Sequence, residues 1–92
     1  MANPNLAVPV VHLNGSGERN LINGYSEAIS ALRDAQKAIA ATHPHPRDYY
    51  VLKDGAETLQ RAEAAHMLRL KKIESVIAEF EELGQAVIEQ GR

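Results

Sequence analysis

From Asp54 to Gln90 the chain contains no proline, and Leu59, Ala62, His66, Ile73, Ile77, Phe80, Leu83, Val87 and Ile88 recur at helical spacing. Asp54 stands where an N-cap belongs, with Glu57 three residues on, as in a capping box. A helix over residues 55–90 is a rod of about 54 Å at 1.5 Å per residue. A chain of 92 residues lies near the lower limit for a core of its own, and it cannot wrap such a rod. The apolar face is therefore expected to meet a second long helix, and beyond that a second chain.

The second helix is found upstream. Leu21, Ile22, Tyr25, Ala28, Ile29, Leu32, Ala35 and Ile39 form one stripe, so the spacing predicts a helix over residues 16–42. Ser16 is its expected cap, and Glu18 suits the positive end of the helix dipole. Residues 1–15 read as an extended segment. LAVPVVHL at 6–13 is apolar and β-branched, and Pro9 confines it to an edge strand or to a strap laid over helices. Residues 43–54 form the connecting loop, where Pro44 and Pro46 end the first helix. The expected fold is all-α: a single domain over residues 1–92, an antiparallel two-helix hairpin with an extended N-terminal segment, assembling into a helical homo-oligomer. The longer helix overhangs its partner by roughly ten residues, about 15 Å.

Composition narrows the function. Tyr25, Tyr49, Tyr50 and Phe80 are the only aromatic residues, so the core is aliphatic and alanine-rich. The net charge is -2, with acidic and basic residues interleaved, which gives no overall pull toward DNA or anionic lipid. There is no cysteine, and no apolar run approaches membrane-spanning length, so a cytoplasmic location is the default. No serine has a recognisable base partner, and no glycine-rich phosphate loop follows a strand, so the chain is read as non-enzymatic, with no cofactor. His12, His43, His45 and His66 invite a metal, but neither cysteine, HExxH nor a close carboxylate set accompanies them, and none is expected.

Two polar residues interrupt the apolar arc of the long helix. His66 and Arg69 are three apart, so their side chains are expected to project together. A buried arginine is costly without an anion beside it. It either meets a carboxylate across an interface, with His66 a satisfied core histidine, or both residues line a polar pocket for an anionic ligand. In the loop, Arg47-Asp48-Tyr49-Tyr50 offers a forked donor for phosphate or carboxylate and two rings that can stack. The structural alternative is that the tyrosines staple the loop down while Asp48 pairs with Arg47. His12 and Asn14 add hydrogen-bonding groups ahead of the first helix, or else serve its turn.

VHLNG at 11–15, RDYY at 47–50 and the His66…Arg69-Leu70 helix, in that order, resemble a family of small helical proteins encoded in phages and prophages. Val51-Leu52-Lys53 departs from that pattern, standing where a proline-containing turn is expected. The resemblance implies a phage accessory role in the host cytoplasm. Small helical phage oligomers include proteins that sequester cyclic-nucleotide immune signals. By that analogy the chain is expected to sequester a small anionic, nucleotide-like host defence signal at subunit interfaces. Arg47 and Arg69 would hold phosphates, Tyr49 and Tyr50 would stack, and His66, His12 and Asn14 would donate or accept hydrogen bonds. The alternative is a helical-hairpin interaction protein that binds a host or phage protein through its apolar face, without a ligand.

Overall fold

The computed structural model describes residues 6–91. Two helices, α1 (Glu18–Ala40) and α2 (Gly55–Gln90), flank a single 3-10 turn at Pro46–Asp48, and no strand occurs among the described residues. The helices run antiparallel. The rings of Tyr25 and Phe80 lie 5.9 Å apart, Arg33 meets Glu74, and the His43 ring stands edge-on to His66 at 5.1 Å. The long helix occupies the span its periodicity predicts, while α1 is shorter than expected at both ends.

The helix ends differ from expectation in their caps. Ser16 does not cap α1; Gly17 holds the N-cap position, and no side chain bonds to the first turn. The Asn14-Gly15 turn accounts for this. Gly15 N–H donates to the His12 carbonyl at 3.1 Å, and the chain regains helical geometry only at Glu18. At the other end, the Thr42 hydroxyl donates to the Ile39 carbonyl at 2.7 Å and closes the last turn ahead of Pro44. The residue before a proline and the turn leading to it are poor helix formers, so the final two expected residues peel away. Asp54 does sit at the N-cap of α2, but its side chain caps nothing and the capping box with Glu57 does not form. Its ψ of 38° is far from the extended value that aims a cap side chain at the first turn, and its carboxylate lies 3.8 Å from Arg61 instead.

Packing is thin. Ile77 and Val87 are the fully buried apolar residues among those described, and His66, about three turns before Ile77 on α2, is buried at 2% exposure. α1 has no fully buried residue. The overhanging first three turns of α2, beyond the reach of α1, are partly covered by the chain's own loop. There Gly55 is buried beneath the Tyr49 main chain, an approach that a side chain at position 55 would block.

The N-terminal segment is a strap, not a strand. The Gln90 side chain grips it at two points: its amide donates to the Pro9 carbonyl at 2.7 Å, and its carbonyl oxygen accepts from Val11 N–H at 3.0 Å. One side-chain amide thus supplies the donor and acceptor that a neighbouring strand would supply. Pro9 and Val11 turn inward while Val10, at 70% exposure, turns out, the alternation of an extended chain. Leu13 is 98% exposed, so only part of the strap's apolar surface is covered by its own helices.

Charge is not interleaved along α2. Residues 55–72 carry Arg61, Arg69, Lys71 and Lys72 against Glu57 and Glu63. Residues 73–90 carry Glu74, Glu79, Glu81, Glu82 and Glu89, and no cation. A near-neutral total hides a helix that is basic in its first half and acidic in its second.

Candidate functional site

The loop is shaped from within. His45 accepts the Arg47 N–H on its Nδ1 at 3.1 Å and so caps the 3-10 turn that Pro46 begins. Tyr49 N–H donates to the Pro46 carbonyl at 3.0 Å, and Leu52 N–H to the Tyr49 carbonyl at 3.0 Å. Gly55 N–H then closes on the Leu52 carbonyl at 3.2 Å, and α2 begins. This chain of turns leaves a cleft of about 210 Å³ lined by Pro46, Tyr49, Tyr50, Gly55, Ala56 and Leu59.

Its chemistry is that of an aromatic wall at a helix start. Tyr49 is half-buried, and Tyr50 is 76% exposed. No side chain accepts from the first turn of α2; the Leu52 and Asp54 carbonyls take the N–H groups of Gly55 and Thr58, and those of Ala56 and Glu57 carry the helix's partial positive charge toward the cleft end. Arg47 is exposed on the same turn, and Asp48 does not pair with it. Among the described residues the ion pairs are Arg33–Glu74 at 2.9 Å and Arg61–Asp54 at 3.8 Å, which leave Arg47 and Arg69 without an acidic partner.

His66 and Arg69 do not project together. His66 is buried where the α1 end and the loop meet α2, its ring against His43. Arg69 is exposed. At 100° per residue it stands about 60° round the helix from His66, past the strip that α1 covers. His12 and Asn14 lie at the far end, on the strap held by Gln90. From His66 to Gln90 is about 36 Å along α2, so one chain does not bring them to the loop. Within a single copy, Arg47, Tyr49 and Tyr50 are the residues gathered in one place.

Sequence reasoning missed two residues. His43 is considered in the sequence only for a metal, yet its ring is the cover of His66, a contact that only the hairpin's closure creates. Nothing in the local pattern of Gln90 signals the clamp on Pro9 and Val11.

Glu74 joins the two helices through polar contacts. Gln36 donates to Glu74 at 2.7 Å and Arg33 at 2.9 Å. The Gln36 hydrogen bond is the largest effect on the Glu74 carboxyl; desolvation comes next and opposes it, and the Arg33 charge and hydrogen bond add to it, so the group is held below the usual glutamate range. This triad joins the two helices but lies away from the cleft.

No group of three or more His, Cys, Asp or Glu among the described residues is placed to hold a metal ion, and no described helix is long and apolar enough to cross a membrane. Comparison with protein-family models, curated proteins and solved structures returns no match to this chain.

Proposed function

We propose that this chain is a non-enzymatic, phage-type accessory protein that binds and sequesters a small anionic, nucleotide-like host defence signal. The observation that carries the reading is the cleft at the start of α2, walled by Tyr49 and Tyr50, where no side chain caps the helix and Arg47 stands on the adjoining Pro46–Asp48 turn. A base is flat and stacks on an aromatic face. A phosphate is an anion that a helix N-terminus and a guanidinium both favour. Tyr49 and Tyr50 take the base and Arg47 takes a phosphate; His66 holds the helix against the loop. The role as a sink for a defence signal rests on the resemblance of the VHLNG and RDYY segments to phage-encoded proteins.

A thermal-shift screen over mononucleotides and cyclic nucleotides tests this. A ligand at a hundred times its Kd stabilises the native state by about 2.7 kcal/mol, a rise of roughly 10 °C or more for a domain this size. Tyr49→Ala should weaken binding of that ligand by about 1–3 kcal/mol. A folded wild-type protein whose melt no nucleotide moves would shift the reading to the alternative, an interaction protein without a ligand. That second reading is favoured by Leu52, Met67 and Leu68, apolar side chains left exposed around the loop end of the rod.

A further inference from the structure

The single chain leaves too much of itself uncovered. It exposes 7009 Å², about 1,700 Å² more than a folded monomer of 10.1 kDa exposes. Its radius of gyration is 19.1 Å, against about 12 Å for a compact chain of this length. A stable interface removes about 800 Å² from each partner, so the excess is enough for one with area to spare. The surface to be covered is also patterned. Beside the strip that faces α1, Ala62, Arg69, Val76 and Leu83 recur every seven residues on α2 and form one line along the helix, open to a second contact seam.

We infer that this seam is filled by a second copy of the chain, with the two α2 helices antiparallel, and that the ligand site is completed across the pair. The orientation follows from charge. A parallel pair sets the glutamates at 79, 81, 82 and 89 against the same four residues, with no cation among them on either α2, while Glu74 is held by Arg33 of its own chain. An antiparallel pair sets this acidic half against Arg61, Arg69, Lys71 and Lys72 of the second copy, and like charges apposed at close range cost what opposite charges return. Arg69 is then a polar residue inside an apolar seam, which fixes register.

Full overlap of the two α2 helices places the two-fold axis between Lys72 and Ile73, so the Gln90 end of one copy lies beside the Gly55 end of the other. The strap clamped to Gln90, with His12 and Asn14, thereby comes over the second copy's cleft with its Tyr49, Tyr50 and Arg47. Residues that one chain holds at opposite ends of the rod become neighbours. The pairing stands on area and charge alone; the claim that it completes a site rests on the ligand reading above.

The absence of cysteine makes the test clean. Leu13 and Val51 are strongly exposed, and one cysteine at each samples the two ends. Leu13→Cys and Val51→Cys chains of distinguishable mass are oxidised separately and mixed, without ligand. The expected result is a mixed 13–51 disulfide in several-fold excess over 13–13 and 51–51. Like-with-like disulfides in excess, or a monomer by light scattering at tens of micromolar, would overturn the inference. A charge test needs no cross-link. Arg69→Glu should weaken self-association at least tenfold at low salt, and mixing with a Glu79→Lys chain, whose position 79 lies one turn from position 69 of the second copy, should restore it. Failure of that rescue would count against the antiparallel order. An antiparallel dimer whose melt no nucleotide moves would leave the pairing standing and remove the ligand; a nucleotide that stabilises a monomer would do the reverse.

Discussion

Gly55 and Gly84 both lie in α2, and the space around them predicts opposite responses to alanine. A Cβ on Gly55 would run into the carbonyl oxygen of Tyr49, which is backbone in a loop already tied by successive turn hydrogen bonds. Gly55→Ala should therefore cost about 1–3 kcal/mol, the usual range for overpacking, and should disturb the cleft. A Cβ on Gly84 meets only Ile22 and Tyr25, at 3.8 and 3.9 Å, which is ordinary contact. Gly84→Ala should stabilise by about 1 kcal/mol through helix propensity, and chemical denaturation of the pair of variants checks both signs. Glu74 supplies a pH signature. Its folded pKa is lowered, so its contribution is fully present above the ordinary glutamate value of about 4.3 and is lost as pH falls through the folded value. Melting curves from pH 7 to pH 3 should show wild type losing an increment in that acid window that Glu74→Gln lacks, and parallel curves would show the triad to be without effect.

At the scale of elements, what was legible in the sequence followed from periodicity and what was not followed from closure. An uninterrupted apolar repeat and two prolines suffice to place α2 and the break after α1, because both act through local backbone geometry. The caps were misjudged at Ser16 and Asp54 because a cap depends on the φ and ψ of its own residue, which the preceding turns set. The candidate site was legible only in part. Arg47, Tyr49 and Tyr50 are neighbours in sequence and remain so in space, whereas Arg69 could be placed relative to His66 only once the strip covered by α1 was known. Of the expected extended segment, residues 1–5 lie outside the described residues and 13–15 turn toward α1, and the attachment of the rest is one glutamine 79 residues away from Val11. Deleting residues 1–13 removes both Gln90 bonds and uncovers apolar surface near Val87, so the melting temperature should fall by several degrees, about 4–8 °C per kcal/mol lost. Gln90→Glu, which keeps the acceptor and loses the donor to Pro9, should give a smaller fall in the same direction. An unchanged melt for the deletion would mean the strap adds nothing to the fold.

At the scale of the whole molecule, stability has to depend on concentration if a second copy supplies the missing core. A hairpin with Ile77 and Val87 as its fully buried apolar side chains has little with which to oppose chain entropy alone. Binding that favours the native state raises its apparent stability by mass action, so the melting temperature of a paired chain climbs with protein concentration and that of a monomer stays level. Phe80 turns this into a measurement of covered surface. Its ring is half-buried in the single chain, 5.9 Å from that of Tyr25. Fully burying an aromatic side chain makes its loss to alanine worth about 3–5 kcal/mol, and a half-covered ring is worth roughly half as much. In an antiparallel pair Phe80 borders the seam that Val76 and Leu83 continue, so Phe80→Ala should cost the full amount and lower the association constant as well. Denaturation of wild type and variant at several protein concentrations separates the cases. A gap between the two that is small and the same at every concentration would mean that α1 alone covers the ring and that the hairpin stands by itself.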